Sequence, residues 1–424
     1  MRLVPAPSAH PKGLRPIRTP LHNNKDIPIV AVVPQEVALL MLIFALVVLP
    51  RMVQRFRIPA PLTSFGLGMA ATIFVGNHAQ DPTLALLSTL GIASLFLFAG
   101  LEVELSDFSR GRWPLIRHII MRAVNLGAVA YGLMHYFSFS WQVSALLGLA
   151  VLTPSAGFIL DTLTALNLND EERYWIRMKA ISGELFALVV LFAVLQSSSV
   201  ATLAWSSAAL LAMIVALPLV LIALGRVVVP YARGSEFSLL VMVGVISAYL
   251  TYKLGVYYLV GAFLAGFVAK LLRTRMPTLA SDENLHAVRM FASFFVPFYF
   301  FYNGMAVPGG AFTFESLLLG LALTLVVVPV RTGLLWLQRR LIRGEAGMAS
   351  LRVSAALTPT LIFTLVIATI LRERFDIADA LYGALLIYAG LTTLLPSLVM
   401  TRPVDFDLLP DTADGLAAAS DPRH

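Results

Sequence analysis

Ala150-Val151-Leu152-Thr153-Pro154-Ser155-Ala156-Gly157-Phe158 is an apolar run with a proline at its centre and a hydroxyl on either side. It returns in the other half of the chain as Ala355-Ala356-Leu357-Thr358-Pro359-Thr360-Leu361-Ile362-Phe363. A proline inside a helix removes one backbone donor and clashes with the carbonyl four residues back. In a bilayer, the backbone groups so freed survive only where protein, hydroxyls or a water-filled cavity satisfy them. Two matching breaks, at Pro154 and Pro359, therefore predict a site built around both.

The remainder of the chain suits a membrane. Of its 424 residues 58% are apolar and 13% charged, about half the charged share of a soluble domain. The formal charge of +7 is spread over the loops, so it reads as topology-setting, and no nucleic-acid partner is expected. With no cysteine, disulfides, thiolate metal sites and thiol nucleophiles are excluded. Gly-rich phosphate loops, paired-His zinc motifs and Asp-rich clusters are also missing, so neither a cofactor nor an enzymatic activity is expected. Residues 1–26 are Pro-rich and basic, 402–424 acidic and rich in Ala and Pro. Both are expected to be disordered tails, with no soluble regulatory domain appended.

A helix crosses the hydrocarbon in roughly 20 residues. Apolar runs beginning near Val33, Pro61, Leu84, Leu115, Gln142, Tyr174, Val200, Glu236, Val256, Ala287, Phe314, Met348 and Ile377 predict an all-α integral membrane protein of about 13 transmembrane helices. With the first span entering from outside, six connections carry nineteen Lys/Arg, against three (Lys253, Arg372, Arg374) in the opposite ones. The positive-inside rule then puts the N-terminus outside and the C-terminus in the cytoplasm, as in a multi-pass protein of the cell (inner) membrane surrounded by lipid.

In that topology the two breaks lie on antiparallel spans, the fifth and the twelfth, as an inverted repeat requires. The same offset of seven lays Phe96-Leu97-Phe98-Ala99-Gly100-Leu101-Glu102-Val103 over Phe300-Phe301-Tyr302-Asn303-Gly304-Met305-Ala306-Val307, and Arg122 of the fourth span over Arg331 of the eleventh. Inverted-topology repeats with two crossing discontinuous helices are the expected architecture.

Ionisable residues deep in a span mark functional candidates, because burying them is costly. The deepest acid is Glu184, in Ala180-Ile181-Ser182-Gly183-Glu184-Leu185-Phe186 of the sixth span. The plainer alternative is a structural ion pair or a protonated, hydrogen-bonded carboxyl. Arg331 is about as deep and stays charged. It serves either to balance the charge of Glu184 or to hold the bundle together in a salt bridge. Arg122 and His118 lie a turn or two from the cytoplasmic end, where they could snorkel to the interface, and a structural role is expected for both. Glu102 and Glu104 read as interfacial acids.

These features together resemble the monovalent cation:proton antiporter family 2, the sodium/proton exchangers and potassium efflux antiporters. Phe96 to Leu105 is similar to the family's third-helix signature, and Gly261-Ala262-Phe263-Leu264-Ala265-Gly266 to its ninth-helix one. The resemblance spans roughly residues 33–401. It implies exchange of H⁺ for Na⁺ or K⁺ by alternating access, and a homodimer. It implies scaffold helices in 33–112 and 235–308, a transport core in 113–199 and 314–401, and a linker helix in 200–230. In the family the sixth span carries two adjacent polar residues, the second of which binds the ion. One alignment puts them on Gly183-Glu184, making Glu184 the carboxylate of the transported Na⁺ or K⁺. The other makes Glu184 a structural glutamate and leaves Leu188-Val189 at the ion-binding pair. Hard cations take oxygen ligands, here Glu184 with the hydroxyls of Thr153, Ser155, Thr358 and Thr360. Arg331 matches a basic position of the eleventh helix. The single carboxylate beside a permanent cation suggests electroneutral exchange. Two other readings compete: a sodium-coupled organic-anion symporter of the same fold, which needs a second sodium site, and a polytopic membrane transferase, which needs a His/Asp/Glu cluster at one interface.

Overall fold

The computed structural model describes residues 35–75, 81–103, 112–163, 166, 168–197, 199–232, 234–255, 258–274, 276, 281–343 and 347–400. Every regular element among them is helical. In chain order these are α1 (Gln35–Gln54), α2 (Ala60–Val75), α3 (Pro82–Leu101), α4 (Arg112–Phe137), α5 (Trp141–Leu152), α6 (Ala156–Thr162), α7 (Asp170–Gln196), α8 (Val200–Val227) and α9 (Glu236–Lys253). They continue with α10 (Tyr258–Leu271), a 3₁₀ turn (Leu272–Thr274), α11 (Asp282–Met305), α12 (Phe314–Arg343), α13 (Gly347–Ala356), α14 (Leu361–Phe375) and α15 (Asp379–Val399). Residues 44–424 make one compact unit, to which the following account applies. Both tails and Glu104 lie outside the described residues.

Several starts are written in capping residues. Asp81 accepts from the backbone of Thr83 and Leu84, with Pro82 at the first helical position of α3. Asn169 and Glu172 close a reciprocal capping box on α7, and Ser140 caps α5. Each satisfies donors that the first turn leaves open.

Each of the thirteen apolar runs coincides with a helix or with a helix pair broken at a proline. By length and apolarity, eight helices among the described residues can cross a membrane, or nine if the pair α13 and α14, bent by 43°, counts as one. The thirteen predicted crossings exceed that number for physical reasons. Helix α10 has only 14 residues and α2 only 16, the apolar part of α1 is only Leu39–Gln54, and α4 carries Arg112, Arg117 and Arg122. Outward faces are strongly apolar: Val124 of α4 is 63% exposed, Trp205 of α8 73%, and Leu325 of α12 74%. Surfaces like these suit lipid rather than water.

The helices pack in two sets. In one, α2, α3, α9, α10 and α11 lie against each other; in the other, α4 to α7 lie against α12 to α15. Helix α8 touches α7, α9 and α10, and α3 meets α6 across the divide. Glycines bring backbones together within the first set. A Cβ on Gly100 would fall on the carbonyl of Phe263, and one on Gly266 on that of Leu97, so α3 and α10 meet glycine to glycine. Likewise a Cβ on Gly304 would strike the Phe65 carbonyl and one on Gly68 that of Phe301, joining α11 to α2. Small residues at such contacts are how apolar helices associate where lipid removes the hydrophobic driving force. The two contacts are related by the repeat. Counted as spans, three on nine becomes ten on two under an offset of seven, so Gly100 and Gly304 do the same work in each half.

Candidate ion site at the helix crossing

The breaks fall where the sequence puts them. Helix α5 stops at Leu152, Thr153 is extended (φ −86°, ψ 121°), and α6 resumes at Ala156. A residue before proline is pushed out of the helical region in this way. In the second break α13 stops at Ala356 and α14 starts at Leu361.

The two breaks lie against each other. The N–H of Ser155 donates to the carbonyl of Pro359 at 2.8 Å. The Ser155 hydroxyl accepts from the N–H of Ile362 at 3.0 Å and of Phe363 at 3.4 Å. It gives its own helix α6 no side-chain cap, but caps α14, which comes from the other repeat. Thr364 Oγ1 returns the contact by donating to the Ala150 carbonyl at 2.7 Å.

Arg331 occupies the C-terminal side of both half-helices. It is 7% exposed. Nη1 donates to the carbonyls of Val151 (3.0 Å) and Thr358 (3.3 Å) and to the Tyr388 hydroxyl (3.0 Å), and Nη2 to the Leu357 carbonyl (3.1 Å). Tyr388 in turn donates to the Val151 carbonyl at 2.6 Å. A permanent cation here satisfies the carbonyls that each break leaves open and opposes the negative ends of two helix dipoles. Among the described residues no salt bridge to Arg331 forms, so its hold on the bundle runs through backbone carbonyls.

Arg122 and His118 turn inward. They do not snorkel. His118 is wholly buried, its Nε2 accepts from Arg122 Nε at 3.0 Å, and Arg122 Nη1 reaches the Leu152 carbonyl at 3.4 Å. The guanidinium lies against Gly183, where an added Cβ would come within 2.7 Å of Cζ. A glycine at 183 is thus what lets Arg122 turn inward to the crossing. Glu184 follows on the same helix. It is 2% exposed and has no hydrogen-bond or ion-pair partner among the described residues. The other candidate pair splits, Leu188 being buried and Val189 65% exposed.

Thr153 is 2% exposed and lines a cavity of about 40 Å³ together with His118, Arg122, Asn125, Phe186 and Arg331. The hydroxyls of the second break turn elsewhere: Thr358 Oγ1 donates to the Ala355 carbonyl at 2.7 Å, and Thr360 Oγ1 pairs with Thr392 Oγ1 at 3.2 Å. Glu102 caps the end of α3 and is half-buried. Tyr388 and Thr364 were not among the sequence candidates. The signal for Tyr388 was a hydroxyl inside an apolar span, and for Thr364 a hydroxyl one turn past the break.

Residues 40–405 match the family described as sodium/hydrogen exchanger, transmembrane. The chain belongs to this family. It is accordingly a multi-pass membrane protein of a family of transporters that exchange cations for protons. Two structures of the sodium proton antiporter MjNhaP1 from Methanocaldococcus jannaschii share the fold. The one at pH 8 has a TM-score of 0.61 over 85% of this chain and 96% of that one, at 14% identity. The one described by an EM map has 0.63 over 87% and 95%, also at 14%. No curated protein matches the sequence.

Proposed function

We propose that this exchanger moves H⁺ against Na⁺ or K⁺, one for one, with Glu184 as the carboxylate that each occupies in turn. The observation that carries this reading is a carboxyl 2% exposed, with no ion-pair partner among the described residues, on the helix beside the crossing. Desolvation penalises a bare carboxylate, so the group is occupied either by a proton or by a cation with further oxygen ligands. Thr153, at the neighbouring break, supplies a hydroxyl. Ser155, Thr358 and Thr360 act one step back by shaping the crossing through Pro154 and Pro359. Arg331 is the charge-balancing group, and Arg122, packed on Gly183, stands in for the missing first member of the polar pair.

Competition for one carboxylate gives exchange if the site opens to one side at a time. The packing of the helices into two sets supports alternating access, with residues 113–199 and 314–401 moving, 33–112 and 235–308 forming the scaffold of a homodimer, and 200–230 linking them. The charge asymmetry of the loops supports an outside N-terminus. The test is proton-coupled flux of Na⁺, K⁺ and Li⁺ in proteoliposomes. Wild type should exchange and Glu184→Gln should lose the activity while keeping its fold. A Gln variant that exchanges as fast as wild type removes Glu184 from the site, and net current per turnover on a supported membrane removes the one-for-one stoichiometry.

A further inference from the structure

A second, larger cavity lies away from the crossing, where the two sets of helices face each other. Its volume is about 360 Å³, near the lower end of the roughly 300–1,000 Å³ typical of small-molecule sites. One side is formed by α2, α3 and α11 and by the later part of α1, the other by α6 and α14. The wall is apolar, with Leu46, Phe158, Phe294 and Phe300 prominent in it.

Two cations interrupt that wall, Arg51 and Arg289, and no Asp or Glu is among the described residues lining it. Arg289 is half-buried, its guanidinium lies over the Phe98 ring at 5.1 Å, and its Nε is buried without a hydrogen-bond partner among the described residues. A buried guanidinium nitrogen left without an acceptor is costly, and a permanent charge facing a greasy cavity invites an anion. An inorganic anion would leave the apolar wall unfilled. A neutral hydrocarbon would leave the arginines unanswered. A two-chain lipid exceeds the volume.

We propose that this cavity binds a single-chain anionic amphiphile, a long-chain carboxylate, with its head on Arg289 and Arg51 and its chain along the phenylalanines. Because the occupant touches both sets of helices, it restrains their relative movement and inhibits exchange. That consequence rests on the alternating-access reading above; the binding does not.

The test uses the full chain in a non-ionic detergent, with palmitate as the probe and native mass spectrometry as the readout. Wild type should retain one palmitate but not its methyl ester. Arg289→Gln and the double change with Arg51→Gln should weaken retention about ten- to hundredfold, the effect of losing charge-assisted contacts, while Arg289→Lys should recover part of it. Arg273→Gln, which removes an exposed pair with Asp282, should change nothing. Equal retention of acid and ester, or retention that ignores both arginines, overturns the proposal, as does preferential retention of a two-chain phospholipid. Where palmitate binds yet flux is unaffected, the site stands and the coupling to alternating access falls.

Discussion

The two halves of this exchanger carry the same break and use it differently. Leu152 and Leu357 are 205 residues apart, as are Ser155 and Thr360, and Gly183 and Tyr388. Each half also points an arginine at the leucine carbonyl of its own break, Arg122 to Leu152 and Arg331 to Leu357. There the likeness ends. Ser155 reaches across to cap the other repeat's helix, whereas Thr360 turns back to Thr392. Arg331 binds Tyr388 and carbonyls from both breaks, whereas Arg122 finds a glycine at the matching place and binds His118 instead. A symmetric scaffold thus holds an asymmetric centre. One arginine ties the crossing together, and the other packs on Gly183, the residue before Glu184 in the chain.

The comparison breaks most visibly at Arg331. Replacing it with Met leaves the carbonyls of Leu357 and Thr358 and the Tyr388 hydroxyl without this donor. Each buried group left open costs about 1–3 kcal/mol, so a loss of about 3 kcal/mol is expected in equilibrium unfolding in mixed micelles. Arg122→Met, which gives up one carbonyl and one imidazole, should cost about two-thirds as much. Equal losses would mean that the two arginines are interchangeable struts.

Gly183 sharpens the same contrast. Ala at this position meets the guanidinium of Arg122, which must swing away from His118 and Leu152. We expect a destabilisation of about 1–2 kcal/mol, the usual size of an overpacking penalty. In an Arg122→Ala background the same change should become neutral or gain up to about 1 kcal/mol, since Ala is the better helix former. Additive losses in the double variant would show that Gly183 serves some other contact.

What could be read in the sequence follows from which features are local. A proline between hydroxyls in an apolar run declares a break wherever it is met. The reach of Ser155 into the other repeat was not legible, because its partners lie more than 200 residues away and nothing local distinguishes a cap for α6 from one for α14. The inward turn of Arg122 was not legible for a related reason. Its position allows either snorkelling or an inward turn, and the space that draws it inward is made by a glycine on another helix. The number of crossings was counted from apolar runs, and α1, α2, α4 and α10 are the helices that fall short of a full apolar span.

The smallest expected effect tests the two hydroxyls against each other. Ser155→Ala removes the acceptor for two N–H groups at the start of α14. Loss of an N-cap of this kind typically costs about 1 kcal/mol. Thr360→Ala gives up a hydroxyl pair with Thr392, and Thr392 retains its bond to the Ala389 carbonyl at 3.1 Å, so about 0.5 kcal/mol is expected. Hydrogen exchange separates the cases better than global stability does, because opening can be local. In Ser155→Ala the amides of Ile362 and Phe363 should exchange faster, although the substitution is in the other repeat. In Thr360→Ala they should be protected as in wild type. Faster exchange at Gly157 and Phe158 in the Thr360 variant would mean that the second hydroxyl also caps across the crossing, and the asymmetry between the halves would then vanish at this layer.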